Sequence, residues 1–140
     1  MTITEADLAT IRRFYAAFIP RDFETMRACF TADAVWHLPG RNAIAGDHVG
    51  WDAIRRDFLD KTGPLSGSTL RAGLVDVAVG TDHLVAIQHA TAEHDGRKLD
   101  VTGCQLIRME GGLIAEVTGH YSDQYAFDAF WSEDSNPEPA

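Results

Sequence analysis

Asp95-Gly96 lies between two long runs, 83–94 and 99–109, that have the composition of strands. Asp-Gly is a strong two-residue hairpin signal, because so tight a turn needs positive φ at both central residues. Two further breaks, Gly80-Thr81-Asp82 and Glu110-Gly111-Gly112, set off runs 69–79 and 113–121 on either side. Four successive extended runs joined by short turns specify an antiparallel meander. The meander fills the second half of the chain, so whatever covers its faces must come from the first half or from another molecule.

The first half reads as helical. Leu8, Ile11, Tyr15 and Phe18 recur at helical spacing within 4–19, and Phe14 widens the stripe. Thr4 with Asp7 makes a capping-box pattern, and Pro20 closes the helix. Asp22 is placed to cap a second, short helix carrying Phe23, Met26, Cys29 and Phe30. A short apolar strand then runs to Pro39-Gly40, followed by a Gly-punctuated loop that holds Asp47 and His48. A third helix, 51–61, is expected to stop at Gly63-Pro64. After the strands, Tyr125, Phe127, Phe130 and Trp131 form an apolar terminal turn or helix, capped by Ser122 or Asp123.

Helices followed by a meander give an α+β fold. The expected organisation is a single domain over 1–132 with a flexible polar tail, 133–140. Leu84, Ala86 and Ala90 fall on one side of the second long strand, and Val85 and Ile87 on the other. A sheet apolar on both faces needs two covers. The helices supply one, and a second copy of the chain is the simplest other, so a homodimer through the outer sheet face is expected. A net charge of −9 argues against nucleic acid as a partner. The chain has no signal-peptide pattern and no apolar run long enough to span a bilayer, so no membrane partner and a cytoplasmic location are expected. Cys29 and Cys104 are too few and too far apart for a disulfide framework or a thiolate metal site.

In this order and spacing, the chain resembles the SnoaL-like branch of the nuclear-transport-factor-2-like superfamily. The resemblance rests on Val35-Trp36-His37-Leu38-Pro39-Gly40, Ala45-Gly46 with Gly50, Asp95-Gly96 with Leu99-Asp100-Val101, and Asp123-Gln124-Tyr125-Ala126 ending in Phe130-Trp131. It covers residues 5–131. It implies a cone-shaped half-barrel, with N-terminal helices packed in a strongly curved antiparallel sheet above an apolar pocket. Ketosteroid isomerases, polyketide cyclases and limonene-type epoxide hydrolases are relatives, so the fold leaves the chemistry open. The isomerases' Asp base would fall at Leu38, their three tyrosines at Phe14, Phe30 and Phe58, and their second Asp at Gly103 or Cys104. With base and donors absent, the ketosteroid-isomerase mechanism is not expected here. The epoxide hydrolases' Asp-Arg-Asp set has no clear match, although Arg108 and Asp123 are available for a rearranged version.

The expected pocket wall comprises Phe14, Phe18, Trp36, Leu38, Trp51 and Phe58, with Gln88 and Gln105 turned inward. Trp36 on the pocket wall has as its alternative a plain core tryptophan. By the resemblance, Val117, Gly119 and Tyr121 face the pocket, and Gly119 either leaves room for a ligand or marks a bend. Three residues are candidates for catalysis. Tyr121 would offer a phenol to a carbonyl or oxyanion, or would instead bond to main chain. Asp123 would serve as base, as polyketide cyclases use an Asp near this point, or as N-cap of the last helix. His48 beside Asp47 would move a proton, or both would be exposed loop residues. His37 reads as structural. His89, His94 and His120 share no face at ligand distance, so no metal is expected.

The reading that follows is a cofactor-independent enzyme acting on a small apolar molecule by proton transfer, cyclisation or epoxide opening. The alternatives are a non-catalytic small-molecule-binding or accessory protein using the same pocket, and a module for protein interaction.

Overall fold

The computed structural model describes residues 2–132; the expected flexible tail, 133–140, lies outside the described residues. Helix α1 (Glu5–Phe18) begins at a complete capping box, in which Asp7 N donates to Thr4 Oγ1 and Thr4 N donates to Asp7 Oδ2. Its buried face carries Ile11, Phe14, Tyr15 and Phe18. The Thr10 hydroxyl donates to Gly112 O, tying the helix to a hairpin turn about a hundred residues later. Helix α2 (Phe23–Ala28) is capped by Asp22, as its sequence implies. Phe30, expected on that helix, instead begins strand β1 (Phe30–Leu38).

The expected loop after Pro39-Gly40 contains a strand, β2 (Gly46–Val49), antiparallel to β1 with Trp36 opposite His48 and His37 opposite Asp47. Four residues of mixed polarity gave too short a period to reveal it. Next comes a helical rod, composed of α3 (Trp51–Ile54), a π segment (Arg55–Leu59) and α4 (Asp60–Ser66). It does not stop at Gly63-Pro64. Pro64 would have donated to Asp60, at the junction where the π segment already changes the ladder's register. The hydroxyls of Thr62 and Ser66 bond to carbonyls of the same rod, and Gly67 ends it at φ 59°.

Strands β3 (Arg71–Val79), β4 (His83–His94), β5 (Arg97–Glu110) and β6 (Leu113–Tyr121) form the meander. Asp95 and Gly96 both have positive φ, which is the hairpin geometry their pairing implied. The sheet order is β2-β1-β6-β5-β4-β3. Every neighbouring pair is antiparallel except β1 and β6, which run parallel and bring the first strand beside the last. The sheet curves around α1 without closing. Its concave side presents Ala34, Trp36 and Leu38 from β1, Leu84 to Ala92 at alternate positions of β4, and Leu99 to Met109 at alternate positions of β5. Phe14 meets Phe30 edge-on at 5.5 Å, and Trp36 meets Phe58 at 5.1 Å. Each such ring removed from water contributes about 1.5–3 kcal/mol.

Helix α5 (Gln124–Phe130) closes one end. Asp128 on this helix accepts from Arg41 N, Asn42 Nδ2 and Gln124 Nε2. Ala43 N also donates to Trp131 O. The segment after Pro39-Gly40 is thus pinned to the end of the chain.

The convex face is less apolar than the alternation of β4 suggested. Asp47, His37, Glu116 and Arg108 form a ladder of alternating charge across four strands. His37 Nδ1 lies 2.6 Å from Asp47 Oδ1, and Nε2 lies 2.7 Å from Glu116 Oε2. A neutral imidazole has one N–H, so two carboxylates are satisfied together only by the imidazolium. The bonds from Asp47 and then Glu116 raise the His37 pKa, and the bond from His37 lowers that of Glu116.

Two outcomes follow from these contacts. Asp128→Ala is expected to lower stability by about 1–3 kcal/mol, since a partly buried carboxylate holding three donors is lost; thermal melting checks it. The His37 contribution is complete below the ordinary histidine pKa of about 6.5 and fades as pH rises through the higher folded value. The Glu116 contribution is present above the ordinary glutamate value and fades in acid. The melting temperature of His37→Gln should therefore fall below that of the wild type by a few degrees at pH 6, with the gap narrowing towards pH 9.

Candidate functional site

Between α1 and the concave face of the sheet lies a cavity. Phe14, Tyr15 and Phe18 line it from α1, Trp36 from β1, and Phe58 and Thr62 from the helical rod. Ala72, Gln88, Ala90, Leu99 and Tyr121 line it from the sheet, Ile44 and Leu70 from connecting segments, and Phe127 and Trp131 from the last helix and its end. The free space is narrow, about 30 Å³, enough for one or two water molecules. A larger guest requires the rings to move aside.

No carboxylate, imidazole, amine or guanidinium is among the lining residues. The polar groups are two phenols, one amide, one hydroxyl and two indoles. Tyr15 Oη donates to Gln88 Oε1 at 2.5 Å, deep in the interior. Gln105 Nε2 donates to Tyr121 Oη at 3.1 Å. The Tyr121 ring stacks on Phe127, with centroids 3.8 Å apart. Burial pushes the Tyr121 phenol up to about 12, against a smaller downward pull from Gln105. Burial, followed by the neighbouring Tyr121, drives the Tyr15 phenol well above its ordinary range. Both phenols keep their protons at neutral pH and can only polarise what they touch.

Six of the expected wall residues, Phe14, Phe18, Trp36, Phe58, Gln88 and Tyr121, line the cavity. Leu38, Trp51 and Val117 do not; they are buried in the surrounding core. Gln105 stands behind Tyr121, fully buried, and reaches the cavity only through the phenol. Gly119 leaves room for protein rather than ligand. A Cβ there would lie 3.0 Å from Gln105 Oε1 and 3.3 Å from Pro39 Cδ. Gly103 does the same for the polar pairs, since its Cβ would lie 3.0 Å from both Gln88 Cγ and Tyr121 Cε1. The site where the resemblance would put an isomerase acid is therefore filled by the Tyr121 and Gln88 side chains.

Of the three candidates for catalysis, only Tyr121 reaches the cavity. Asp123 is the N-cap of α5, its Oδ1 accepting from Ala126 N at 3.0 Å, and the residue is exposed. Its carboxylate is engaged at the first turn of the helix, and the residue is not among those that line the cavity. His48 is no loop residue: it is buried on β2, with Nε2 2.7 Å from Ile44 O and the ring stacked behind Phe58. Arg108 lies on the convex face with Glu110 and Glu116, so it forms no set with Asp123. His89 faces Asp100, His94 faces Asp95, and His120 faces Cys104 O.

Tyr15 and Trp131 were absent from the expected site. Tyr15 reads in sequence as one more ring in the stripe of α1, and its hydroxyl was the available signal. Trp131 and Phe127 lie four residues apart on the last helix and its end, but only the sheet's curvature brings that helix to the cavity.

The family model described as "SnoaL-like domain" matches residues 11–117. Uncharacterized protein Rv0034 of Mycobacterium tuberculosis is 32% identical over 129 residues, spanning 91% of this chain and 98% of its own length. The structure of Bal32a, from a soil-derived mobile gene cassette, superposes with a TM-score of 0.85 at 39% identity, covering 91% of this chain and 97% of that one. An NTF2-like protein from Burkholderia xenovorans LB400 superposes at 0.75 with 17% identity, covering 94% and 100%, and shows the shared fold.

Proposed function

The chain belongs to the SnoaL-like domain family, and on that premise we propose that it binds a small, neutral, largely apolar molecule in the cavity beneath α1. The observation that carries this reading is the character of the wall. Eight aromatic residues and several aliphatic ones surround a space with no ionisable group other than two protonated phenols. An ion placed there would lose its hydration with no countercharge to replace it. A neutral molecule would lose little and would gain contact with rings.

An enzymatic reading is favoured by one feature, the Tyr121 hydroxyl on the cavity wall with its Gln105 support. Members of the family are often cofactor-independent isomerases or cyclases. A phenol in an apolar site can polarise a carbonyl or assist the opening of an epoxide. Abstraction of a proton from carbon is the least supported of the three reactions, because no lining residue is a base near neutrality. We therefore place binding first and phenol-assisted cyclisation or opening second, in a cytoplasmic protein.

We also propose that a second copy of the chain covers part of the convex face. Val79 and Leu106 are 55% and 40% exposed, and with Ala78 and Val85 they border one shallow apolar depression. The charged ladder from Asp47 to Arg108 would form the polar margin of such an interface.

Titration with the neutral fluorophore N-phenyl-1-naphthylamine tests the cavity. Binding is expected, and it should be flat from pH 5 to pH 9, since no lining group titrates in that range. Ala90→Val, which fills the space, should weaken binding at least tenfold with little change in melting temperature. Binding unaffected by Ala90→Val would sink the proposal. For the dimer, sedimentation at micromolar concentration should show two copies, and Leu106→Glu should give a monomer.

A further inference from the structure

The cavity wall has hydrogen-bonding capacity left over, and nearly all of it is of one kind. Trp36 Nε1 and Trp131 Nε1 are both buried without a partner among the described residues. Both indoles line the cavity, and the two residues are 4% and 1% exposed. An indole nitrogen donates and never accepts. A buried donor left unpaired costs about 1–3 kcal/mol, so each of these groups favours whatever brings it an acceptor. Near them, Tyr121 Oη accepts from Gln105 Nε2, which leaves the phenol's own proton available.

No side-chain oxygen on the wall is left without a hydrogen bond. Tyr15 Oη donates to Gln88 Oε1, Tyr121 Oη accepts from Gln105, and the Thr62 hydroxyl accepts from Arg21 while donating to Leu59 O. Among the described residues, the one buried side-chain acceptor without a partner is Gln105 Oε1, and it sits behind Tyr121 rather than on the wall. Turning the Gln105 amide over would give that oxygen the Tyr121 proton and leave the amide N–H groups behind the phenol, off the wall. Trp36 and Trp131 offer donors in either orientation, and Tyr121 joins them in the one present.

We propose that the cavity selects molecules bearing hydrogen-bond-accepting oxygens, such as ketones, esters or lactones, and that Trp36 and Trp131 are the residues that read them. The inference rests on the small-molecule reading above and narrows its ligand class. A hydrocarbon would leave both indoles unpaired. An alcohol would satisfy one of them but would have to place its own proton on a wall oxygen that already takes part in a hydrogen bond. A carbonyl oxygen has two lone pairs and no donor, so it matches the surplus.

Three probes of nearly equal shape test this: acetophenone, 1-phenylethanol and ethylbenzene. Binding is followed by displacement of N-phenyl-1-naphthylamine and by the indole N–H signals in ¹H–¹⁵N spectra, assigned with Trp36→Phe and Trp131→Phe. The expected order is acetophenone, then 1-phenylethanol, then ethylbenzene, with the ketone at least fivefold tighter than the hydrocarbon. Acetophenone should move the Trp36 or Trp131 indole signal downfield, while that of Trp51 stays in place. Either Phe variant should reduce the ratio of ketone to ethylbenzene affinity, whatever the enlarged cavity does to the affinity for ethylbenzene itself. Equal binding of ketone and hydrocarbon, with both indole signals unmoved, would overturn this proposal and leave the apolar-pocket reading standing. Failure of the fluorophore and all three probes to bind the wild-type protein would overturn both. The spectra of the wild-type protein decide the matter even if a Phe variant fails to fold.

Discussion

The packing of Phe14 against Phe30 and Trp36 holds the first helix in the hollow of the sheet, and most of the molecule's other features depend on that arrangement. A sheet of six strands with long central members has a large concave face to hide. The rings of α1 and the helical rod hide it without meeting perfectly, since Phe and Trp side chains are rigid and bulky. The narrow cavity is what remains between them. Its walls are necessarily the same residues that make the core, which explains why Leu38, Val117 and Trp51 belong to one and Trp36 and Phe58 to the other, although all five look alike in sequence.

Burial also sorts the polar side chains. The protein has six histidines, and none lines the cavity. Five lie beside a carboxylate or a carbonyl at the surface or on the convex side, and His48 is locked to Ile44 O in the interior. What reaches the cavity is neutral and stays neutral: phenols, an amide and indoles. A charged group there would have to overcome a desolvation cost that nothing in the wall offsets. The side chains that line the cavity therefore offer neutral hydrogen-bonding groups, with no carboxylate among them.

Much of the architecture was legible beforehand. The Asp95-Gly96 turn, the Thr4–Asp7 capping box and the apolar stripe of α1 are local signals, each fixed by residues within a few positions of one another. The misread features have separate causes. Strand β2 exists because β1 offers it an edge. The rod continues past Gly63-Pro64, with a π segment just before it and the Thr62 and Ser66 hydroxyls bonded to carbonyls within it. Asp123 had two readings in sequence, and the free amide of Ala126 took the carboxylate.

The sequence alone determined which residues are apolar and where the turns fall; that Gln88 and Gln105 lie on the inner face was decided by the registers of β4 and β5. It could not determine which inner-face residues touch empty space. That depended on the sheet's curvature, on Gly103 admitting the Tyr121 ring and on Gly119 admitting Gln105 and Pro39. The physical reason is one of range. Strand alternation and helix caps are set by neighbours in the chain, whereas a cavity is a gap among side chains from α1, the rod, five strands and the last helix, and its position exists only once all of them have packed.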